Sequence, residues 1–192
     1  MDIDTLVLSG GGGGSLAFLG SIHYLLENNK INFKNIKNIF AVSGGALISI
    51  LLIINMDLDS VIEYFIKRPW NKIFKFDDIT KILDLINNCN NNLGFIDLID
   101  IIKQYLSPVF NSLDIPIDIN LLQLYNRTNI DLNIYTVNLN KFVPQLVNLN
   151  HITFPELTVV EALSMSSCYP FIFSPIFYNQ DCYIDGCYFC HL

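Results

Sequence analysis

Charged side chains are scarce in this chain: they make up 15% of its 192 residues, while apolar residues make up 52%. An average soluble domain has about 25% charged residues. The charges that are present sum to −7 at neutral pH, so the basic excess that would neutralise phosphates is lacking, and we expect no nucleic-acid partner. The length suffices for one domain with a sizeable core. This composition predicts an α/β core of buried elements or contact with lipid.

Histidine is also rare, since the chain contains only His23, His151 and His191. A Ser-His-Asp triad needs an imidazole placed beside the nucleophile. His23 falls within a helical pattern, His151 lies in a polar stretch, and His191 is the next-to-last residue. None of the three has a sequence context that ties it to a nucleophile, so a triad is not indicated.

The cysteines are odd in number and no basic leader precedes them. The chain begins Met-Asp-Ile-Asp, which is acidic where a secretory signal is basic. We therefore expect reduced thiols, no signal peptide and a cytoplasmic location. Cys187, Cys190 and His191 have C-x-x-C-H spacing, but the chain supplies no further ligands for them, so we expect neither a metal nor a cofactor.

Residues 39–56 contain no charge, and about 18 such residues are enough to cross a bilayer. However, Ser43, Gly44 and Gly45 interrupt the run early, and its flanks lack a basic bias. A helix buried at the centre of a domain is apolar all round as well. We therefore predict a central buried helix rather than a transmembrane span.

A run of five glycines follows the first predicted strand. Residues 4–9 are mostly apolar, Gly10 to Gly14 come next, and a helical pattern then continues to Glu27. Backbone N–H groups at the start of a helix favour an anion. Gly14 is followed by serine rather than lysine, which excludes a nucleotide P-loop, and the serine at position 15 does not fit a dinucleotide fingerprint. An oxyanion hole and a plain flexible turn remain open.

A second strand-to-helix turn is centred on Ser43. Residues 39–42 form an apolar β-like run, and residues 46–54 form an apolar helix-like run. A serine on such a sharp turn exposes its hydroxyl, and the residues two before and two after it must be small. Ala41 and Gly45 meet this requirement. The A-x-S-x-G pattern is compatible with a nucleophile elbow, but by itself it favours a simple Ser-Gly turn between two buried elements.

The rest of the chain is mostly helical in pattern up to residue 125. Alternation of apolar and polar residues then predicts strands over residues 130–137 and 142–149, joined by a turn at 139–141. Pro108, Pro116 and Pro144 are expected in loops. The predicted helices span residues 59–66, 77–86, 95–106, 120–125 and 161–165.

One segment, residues 67–76, holds four of the eleven basic residues and the single tryptophan. Basic residues interleaved with aromatic ones suit a membrane–water interface. Lys67, Trp70, Lys72 and Phe74 are therefore candidates for peripheral membrane contact. An ordinary loop whose aromatic residues pack into the core fits the same pattern.

Four segments resemble the patatin-like phospholipases. The glycine loop LSGGGGGSLAFLG (residues 8–20) and the elbow AVSGGAL (residues 41–47) come first. The segment EALSMSSCYPFIF (residues 161–173) and YIDGC (residues 183–187) follow in the same order as in that family. The resemblance runs over nearly the whole chain, from Leu6 to Cys187.

The resemblance implies a three-layer α/β/α fold with a central, mostly parallel sheet, formed as a single domain over residues 1–192. It also implies a lipid acyl hydrolase of the phospholipase A or lysophospholipase type, acting on phospholipid or another acyl-ester lipid. Ser43 would be the nucleophile and Asp185 the base. The backbone of Gly10, Gly11, Gly12 and Gly13 would form the oxyanion hole. A carboxylate can act as the base if burial raises its pKa.

The sequence departs from that family's pattern at several positions. Gly14 replaces a basic residue and Ser15 replaces a glycine in the loop, while Ala41 replaces the first glycine of the elbow. Cys187 follows Asp185-Gly186 where the family has glycine or alanine, which places a larger side chain beside the aspartate. Only seven residues follow Asp185, so we expect a C-terminally truncated domain. The alternative function is a catalytically inactive relative that binds lipid or a partner protein.

Overall fold

The described part of the chain comprises residues 3–54, 57–73, 97–140 and 142–189 of a computed structural model. The predicted helix at 77–86 and the start of the one at 95–106 lie outside these residues. The strands are β1 (Thr5–Leu8), β2 (Asn38–Val42), β3 (Asp131–Asn138), β4 (Gln145–Leu149), β5 (Ile176–Tyr178) and β6 (Asp181–Asp185). The helices are α1 (Ala17–Glu27), α2 (Gly44–Ile53), α3 (Leu58–Lys67), α4 (Trp70–Ile73), α5 (Leu98–Ser112), α6 (Leu121–Thr128) and α7 (Val159–Ser167).

The six strands form one mixed sheet in the order β1-β2-β3-β6-β5, with β4 paired to β3. Strands β1, β2 and β3 run parallel, whereas β4 and β6 run antiparallel to β3. Parallel strands are buried on both faces, and the neighbouring residues Ala41 and Val42, whose side chains point to opposite faces of β2, are both fully buried. With helices over both faces, the predicted three-layer α/β/α class with a mostly parallel centre is confirmed.

The pairing on β3 determines where the candidate site forms. Val42, the last residue of β2, lies opposite Tyr135, and Asp185, the last residue of β6, lies opposite Thr136. Both strands must occupy the same edge of β3, because β4 pairs with Tyr135 and Thr136 from the other edge. The carboxyl ends of β2 and β6 therefore meet on neighbouring residues of β3.

Helix α2 is the apolar run that the sequence predicted to be a buried helix. It is ten residues long, and Ala46, Ile50 and Leu51 are fully buried in it. In the part of the chain that the structure describes, no helix combines the length and hydrophobicity needed to span a bilayer.

The predicted strand pair and two of the predicted short helices are confirmed. Strands β3 and β4 pair antiparallel, although β4 begins at Gln145, three residues later than expected. Helix α7 contains the predicted segment 161–165, and α6 begins at Leu121, one residue after the predicted start at Asn120, which is its N-cap; each helix begins with a capping box. In α7 the Thr158 side chain accepts from the backbone N–H of Glu161, whose carboxylate accepts from Thr158 in return.

The prediction that Pro108 lies in a loop is wrong, since it lies inside α5. A proline in a helix cannot donate to the carbonyl four residues earlier, here that of Gln104. The Arg68 guanidinium donates to that carbonyl instead. Burial of the Tyr105, Leu106 and Phe110 side chains further favours the helix. Pro116 and Pro144 lie in loops, as predicted.

Candidate active site

Ser43 lies at the sharp turn between β2 and α2. Its backbone has φ 52° and ψ −126°, in the region of positive φ that non-glycine residues rarely adopt. A Cβ on Gly45 would lie 2.3 Å from the Leu8 carbonyl oxygen, so only glycine fits there. Ala41 is fully buried on the other side of the turn. The glycine predicted at position 45 is therefore needed for close approach to β1.

Helix α7 holds this turn in place through Ser166. The backbone N–H of Ser43 donates to Ser166 Oγ at 2.9 Å, and that hydroxyl donates to the Tyr135 carbonyl on β3 at 2.6 Å. The turn is thus fixed to both the sheet and a second helix. Sequence reasoning missed this residue, since nothing in a serine-rich helix end distinguishes Ser166 from Ser164 or Ser167.

The structure brings Ser43 and Asp185 together although 142 residues separate them. Ser43 Oγ donates to Asp185 Oδ2 at 2.7 Å. The other carboxylate oxygen, Oδ1, accepts from the backbone N–H of Cys187 at 2.8 Å. Ser43 is 7% exposed and Asp185 is 2% exposed. A buried hydroxyl therefore faces a buried carboxylate in hydrogen-bond geometry.

Burial raises the pKa of the Asp185 carboxyl, because it disfavours the charged form. The hydrogen bonds from Ser43 and Cys187 favour the carboxylate and oppose that effect in part. A raised pKa makes the carboxylate a better proton acceptor than an exposed aspartate at the same pH.

Gly186 and Gly10 make room around the aspartate. A Cβ on Gly186 would lie 2.4 Å from the Tyr135 carbonyl oxygen. A Cβ on Gly10 would lie 1.9 Å from Cys187 Sγ and 3.2 Å from Ser43 Cβ. The bulk of Cys187 is therefore accommodated by the missing side chain at position 10, and Asp185 still reaches Ser43.

The glycine loop passes beside the same turn. Gly11, Gly12 and Gly13 line the cavity together with Ser43, whereas Gly10 packs behind it. Residues Gly12–Leu16 form a 3-10 turn, and Gly12 has φ 52°. The first backbone N–H groups of a helical turn have no acceptor within that turn. The backbone N–H of Gly44, at the start of α2, likewise has no acceptor within its helix. Gly44 was also missed from the sequence, although it directly follows the candidate nucleophile.

A cavity of about 650 Å³ opens at Ser43 and Asp185. Its walls come mainly from apolar side chains of α2, α5 and residues 169–173, among them Leu47, Ile48, Ile102 and Phe173, with Phe65 of α3 beside them. An apolar cavity with a few polar groups at one point is the usual form of a small-molecule site. Its volume and apolar lining suit a hydrocarbon chain with a polar bond held at Ser43.

Trp70, from the segment with predicted membrane contact, lines this cavity. Its ring stacks on Phe65 with centroids 5.6 Å apart, and its indole N–H donates to the Phe65 carbonyl at 2.8 Å. Lys67 is exposed and pairs with Glu63. The Lys72 side chain and Phe74 lie outside the described residues. Membrane contact by this segment stays a prediction.

The histidines in the described residues lie elsewhere. His23 Nε2 lies 3.2 Å from an Asp59 carboxylate oxygen, and His151 stacks on Tyr125 with ring centroids 3.7 Å apart. Neither lines the cavity. Within the described ranges, no group of three His, Cys, Asp or Glu side chains is arranged to hold a metal ion.

Among proteins of similar sequence, "Probable lipid hydrolase 463L" of Invertebrate iridescent virus 6 is 29% identical over 184 residues, which is 95% of this chain and 59% of that protein. An uncharacterized protein of Acanthamoeba polyphaga mimivirus is 26% identical over 96% of this chain and 58% of its own length. The chain thus spans slightly under three fifths of these relatives.

A solved structure with the same fold is VipD from Legionella pneumophila. It superimposes with a TM-score of 0.67 at 18% identity, covering 100% of this chain and 47% of VipD. At that level of identity the likeness supports the fold alone. The model of the patatin-like phospholipase family matches residues 6–189, and the predicted motifs all fall within that range. The chain therefore belongs to the patatin-like phospholipase family.

Proposed function

We propose that this chain is a lipid acyl hydrolase of the phospholipase A or lysophospholipase type. In this mechanism Ser43 attacks the carbonyl carbon of a fatty-acyl ester while Asp185 accepts the serine proton. The alcohol leaves with a proton returned from Asp185, and the acyl group stays on Ser43 as an ester. Water then attacks that ester while Asp185 accepts its proton, and Asp185 returns this proton to the Ser43 oxygen as the acyl–oxygen bond breaks and the fatty acid is released.

The proposal depends most on the hydrogen bond of 2.7 Å between Ser43 Oγ and Asp185 Oδ2. A serine hydroxyl is a weak nucleophile until a base removes its proton, and this carboxylate is placed to do so. The raised pKa of Asp185 supports the same role. The cavity beside the pair has room for an acyl chain.

The negative charge of the tetrahedral intermediate needs donors on the other side of Ser43. We assign this role to backbone N–H groups of the glycine loop, at Gly11 and Gly12 in particular, together with Gly44. Gly10 and Gly13 complete the loop, with Gly10 acting as a spacer against Cys187. The N-terminus of α2, a helix of ten residues, adds a favourable dipole at the same point.

The experiment is labelling with a fluorophosphonate probe together with fatty-acid release from phospholipid and lysophospholipid micelles. We expect the wild-type protein to be labelled at Ser43 and to release fatty acid. Ser43→Ala should lose both, while Ser49→Ala, a buried α2 serine that donates to the Ala46 carbonyl, should keep both. The absence of labelling and release in the folded wild-type protein would leave the alternative, a family member that only binds lipid or a partner.

We also propose that the protein reaches its substrate at a lipid surface through the segment that includes Lys67 and Trp70. Cosedimentation with phospholipid vesicles tests this, with Lys67→Glu as the variant expected to bind less. Unchanged cosedimentation of that variant would argue against this segment as the contact.

A further inference from the structure

The Ser15 side chain is a buried polar group on the cavity wall that the mechanism above does not use. The residue is 3% exposed, and its side chain lines the same cavity as Ser43 and Asp185. No group among the described residues lies within hydrogen-bond distance of its hydroxyl in suitable geometry. Leaving a buried hydroxyl without a partner has a free-energy cost, because its hydrogen bonds to water are not replaced. Such a cost calls for a compensating interaction with something that enters the cavity.

The position of this hydroxyl indicates what that interaction is. Ser15 Oγ lies 2.5 Å from the point where a Cβ on Gly44 would be and 3.4 Å from the corresponding point on Gly11. It therefore sits between the residue that follows the nucleophile and the glycine loop. Those two backbone segments are the ones that supply N–H donors to an oxyanion.

We propose that the Ser15 hydroxyl is an additional oxyanion donor, an inference that rests on the proposed hydrolase function. The hydroxyl rotates freely and donates one hydrogen bond. When Ser43 adds to the ester, the carbonyl oxygen becomes negatively charged and accepts from Ser15 as well as from the loop N–H groups. No bond to Ser15 forms or breaks, and its proton stays on the hydroxyl.

The charge distribution around the loop makes this extra donor useful. Residues 9–16 contain no lysine or arginine, so the loop offers the oxyanion no cationic side chain. In an apolar, partly water-excluded cavity, a fixed neutral donor is worth more than in water. The hydrogen bond from this hydroxyl is strongest in the transition state, where the charge on the oxygen it faces is largest. Loss of the hydroxyl should therefore lower kcat rather than weaken substrate binding.

The test is steady-state hydrolysis of a soluble acyl ester by the wild-type protein and by Ser15→Ala and Ser15→Cys. Removing one oxyanion donor typically lowers kcat by about 100-fold or more, so we expect Ser15→Ala to fall about 100-fold in kcat with KM within threefold of wild type. The kcat of Ser15→Cys, which has a weak S–H donor of similar shape, should lie between those of the wild-type protein and Ser15→Ala. Ser21→Ala is the matched control, because its hydroxyl is exposed on α1 and donates to the Ala17 carbonyl.

A second measurement separates this role from a structural one. An acyl trifluoromethyl ketone adds to the nucleophile and places an alkoxide where the oxyanion forms. In Ser15→Ala, the inhibition constant of this ketone should rise by the same factor by which kcat falls. The inhibition constant of a fatty-acid amide, which does not react with Ser43, should not change. A structural role would weaken both inhibitors and lower the melting temperature. If Ser15→Ala does not fold, the same comparison is made with Ser15→Cys.

The outcomes distinguish this inference from the proposed function. If the wild-type protein hydrolyses the ester and Ser15→Ala keeps kcat within threefold, or loses affinity for both inhibitors, Ser15 is not an oxyanion donor and the hydrolase proposal stands. If the wild-type protein neither hydrolyses the ester nor is labelled at Ser43, the hydrolase proposal itself fails.

Discussion

Replacing Asp185 by asparagine should raise stability while it removes activity. Burying a carboxylate costs several kcal/mol, and a hydrogen bond to a charged acceptor returns about 1.5–3 kcal/mol. Asp185 accepts two such bonds, from Ser43 and from Cys187, yet its pKa is raised, which means that burial outweighs them. The surrounding fold therefore keeps Ser43 and Asp185 together although burial of the Asp185 carboxylate is unfavourable.

In Asp185→Asn the side-chain oxygen can still accept from the Cys187 N–H, and the amide can donate to Ser43 Oγ. Both contacts then survive as neutral hydrogen bonds worth about 1 kcal/mol each, and the buried charge is gone. We expect a net stabilisation of about 1 kcal/mol, which is ~2–4 °C in melting temperature for a chain of this size. Hydrolysis should fall by about 10³-fold or more, because no base remains for the serine proton.

Thermal unfolding of both proteins across pH 4 to 8 measures this effect. Because the folded pKa of Asp185 is raised, the wild-type protein gains stability as the pH falls through that pKa, while the variant does not. The variant's advantage should thus be largest at pH 7–8 and shrink towards pH 4. Asp118→Asn, at an exposed position, serves as the control. A variant that melts more than ~2 °C below wild type at pH 7, or an advantage independent of pH, would contradict the reasoning.

Three further predictions follow from the same contacts. The kcat/KM should rise with pH as Asp185 loses its proton, and the midpoint of this rise should lie above the ordinary aspartate pKa. A midpoint at or below that value would contradict the assignment of Asp185 as a buried base. Gly186→Ala should lower the free energy of unfolding by about 3 kcal/mol in chemical denaturation, since its Cβ would lie 2.4 Å from the Tyr135 carbonyl oxygen. The control Gly20→Ala, with open space around it on α1, should raise the free energy of unfolding by about 1 kcal/mol. Equal effects of the two substitutions would show that the tight contact is absent. Ser166→Ala should lower kcat about tenfold and stability by about 1–3 kcal/mol, because the hydroxyl that links the Ser43 N–H to the Tyr135 carbonyl is removed; unchanged kinetics would mean that α7 does not position the turn.

Some predictions from the sequence failed, or had no signal to rest on, because the deciding contacts are distant in the chain. Pro108 lies in a helix whose buried face packs in the core, and Arg68, forty residues earlier, donates to the carbonyl that the proline leaves free. Ser166 looks like its serine neighbours until β3 and the Ser43 turn are placed against it. Ser15 reads simply as the end of a glycine run, and only its burial beside Gly44 indicates a use for its hydroxyl.

The sequence by itself determined the local features of this protein: alternating residues predicted β3 and β4, the long apolar run predicted the buried helix α2, and small residues around Ser43 predicted the sharp turn. These follow from periodicity and from steric limits that act within a few residues. The resemblance of its motifs already named Ser43 and Asp185 as a pair, but only the tertiary structure decided their contact, which depends on β2 and β6 ending on adjacent residues of β3. The raised pKa of Asp185 likewise depends on burial by distant segments, which no local pattern encodes.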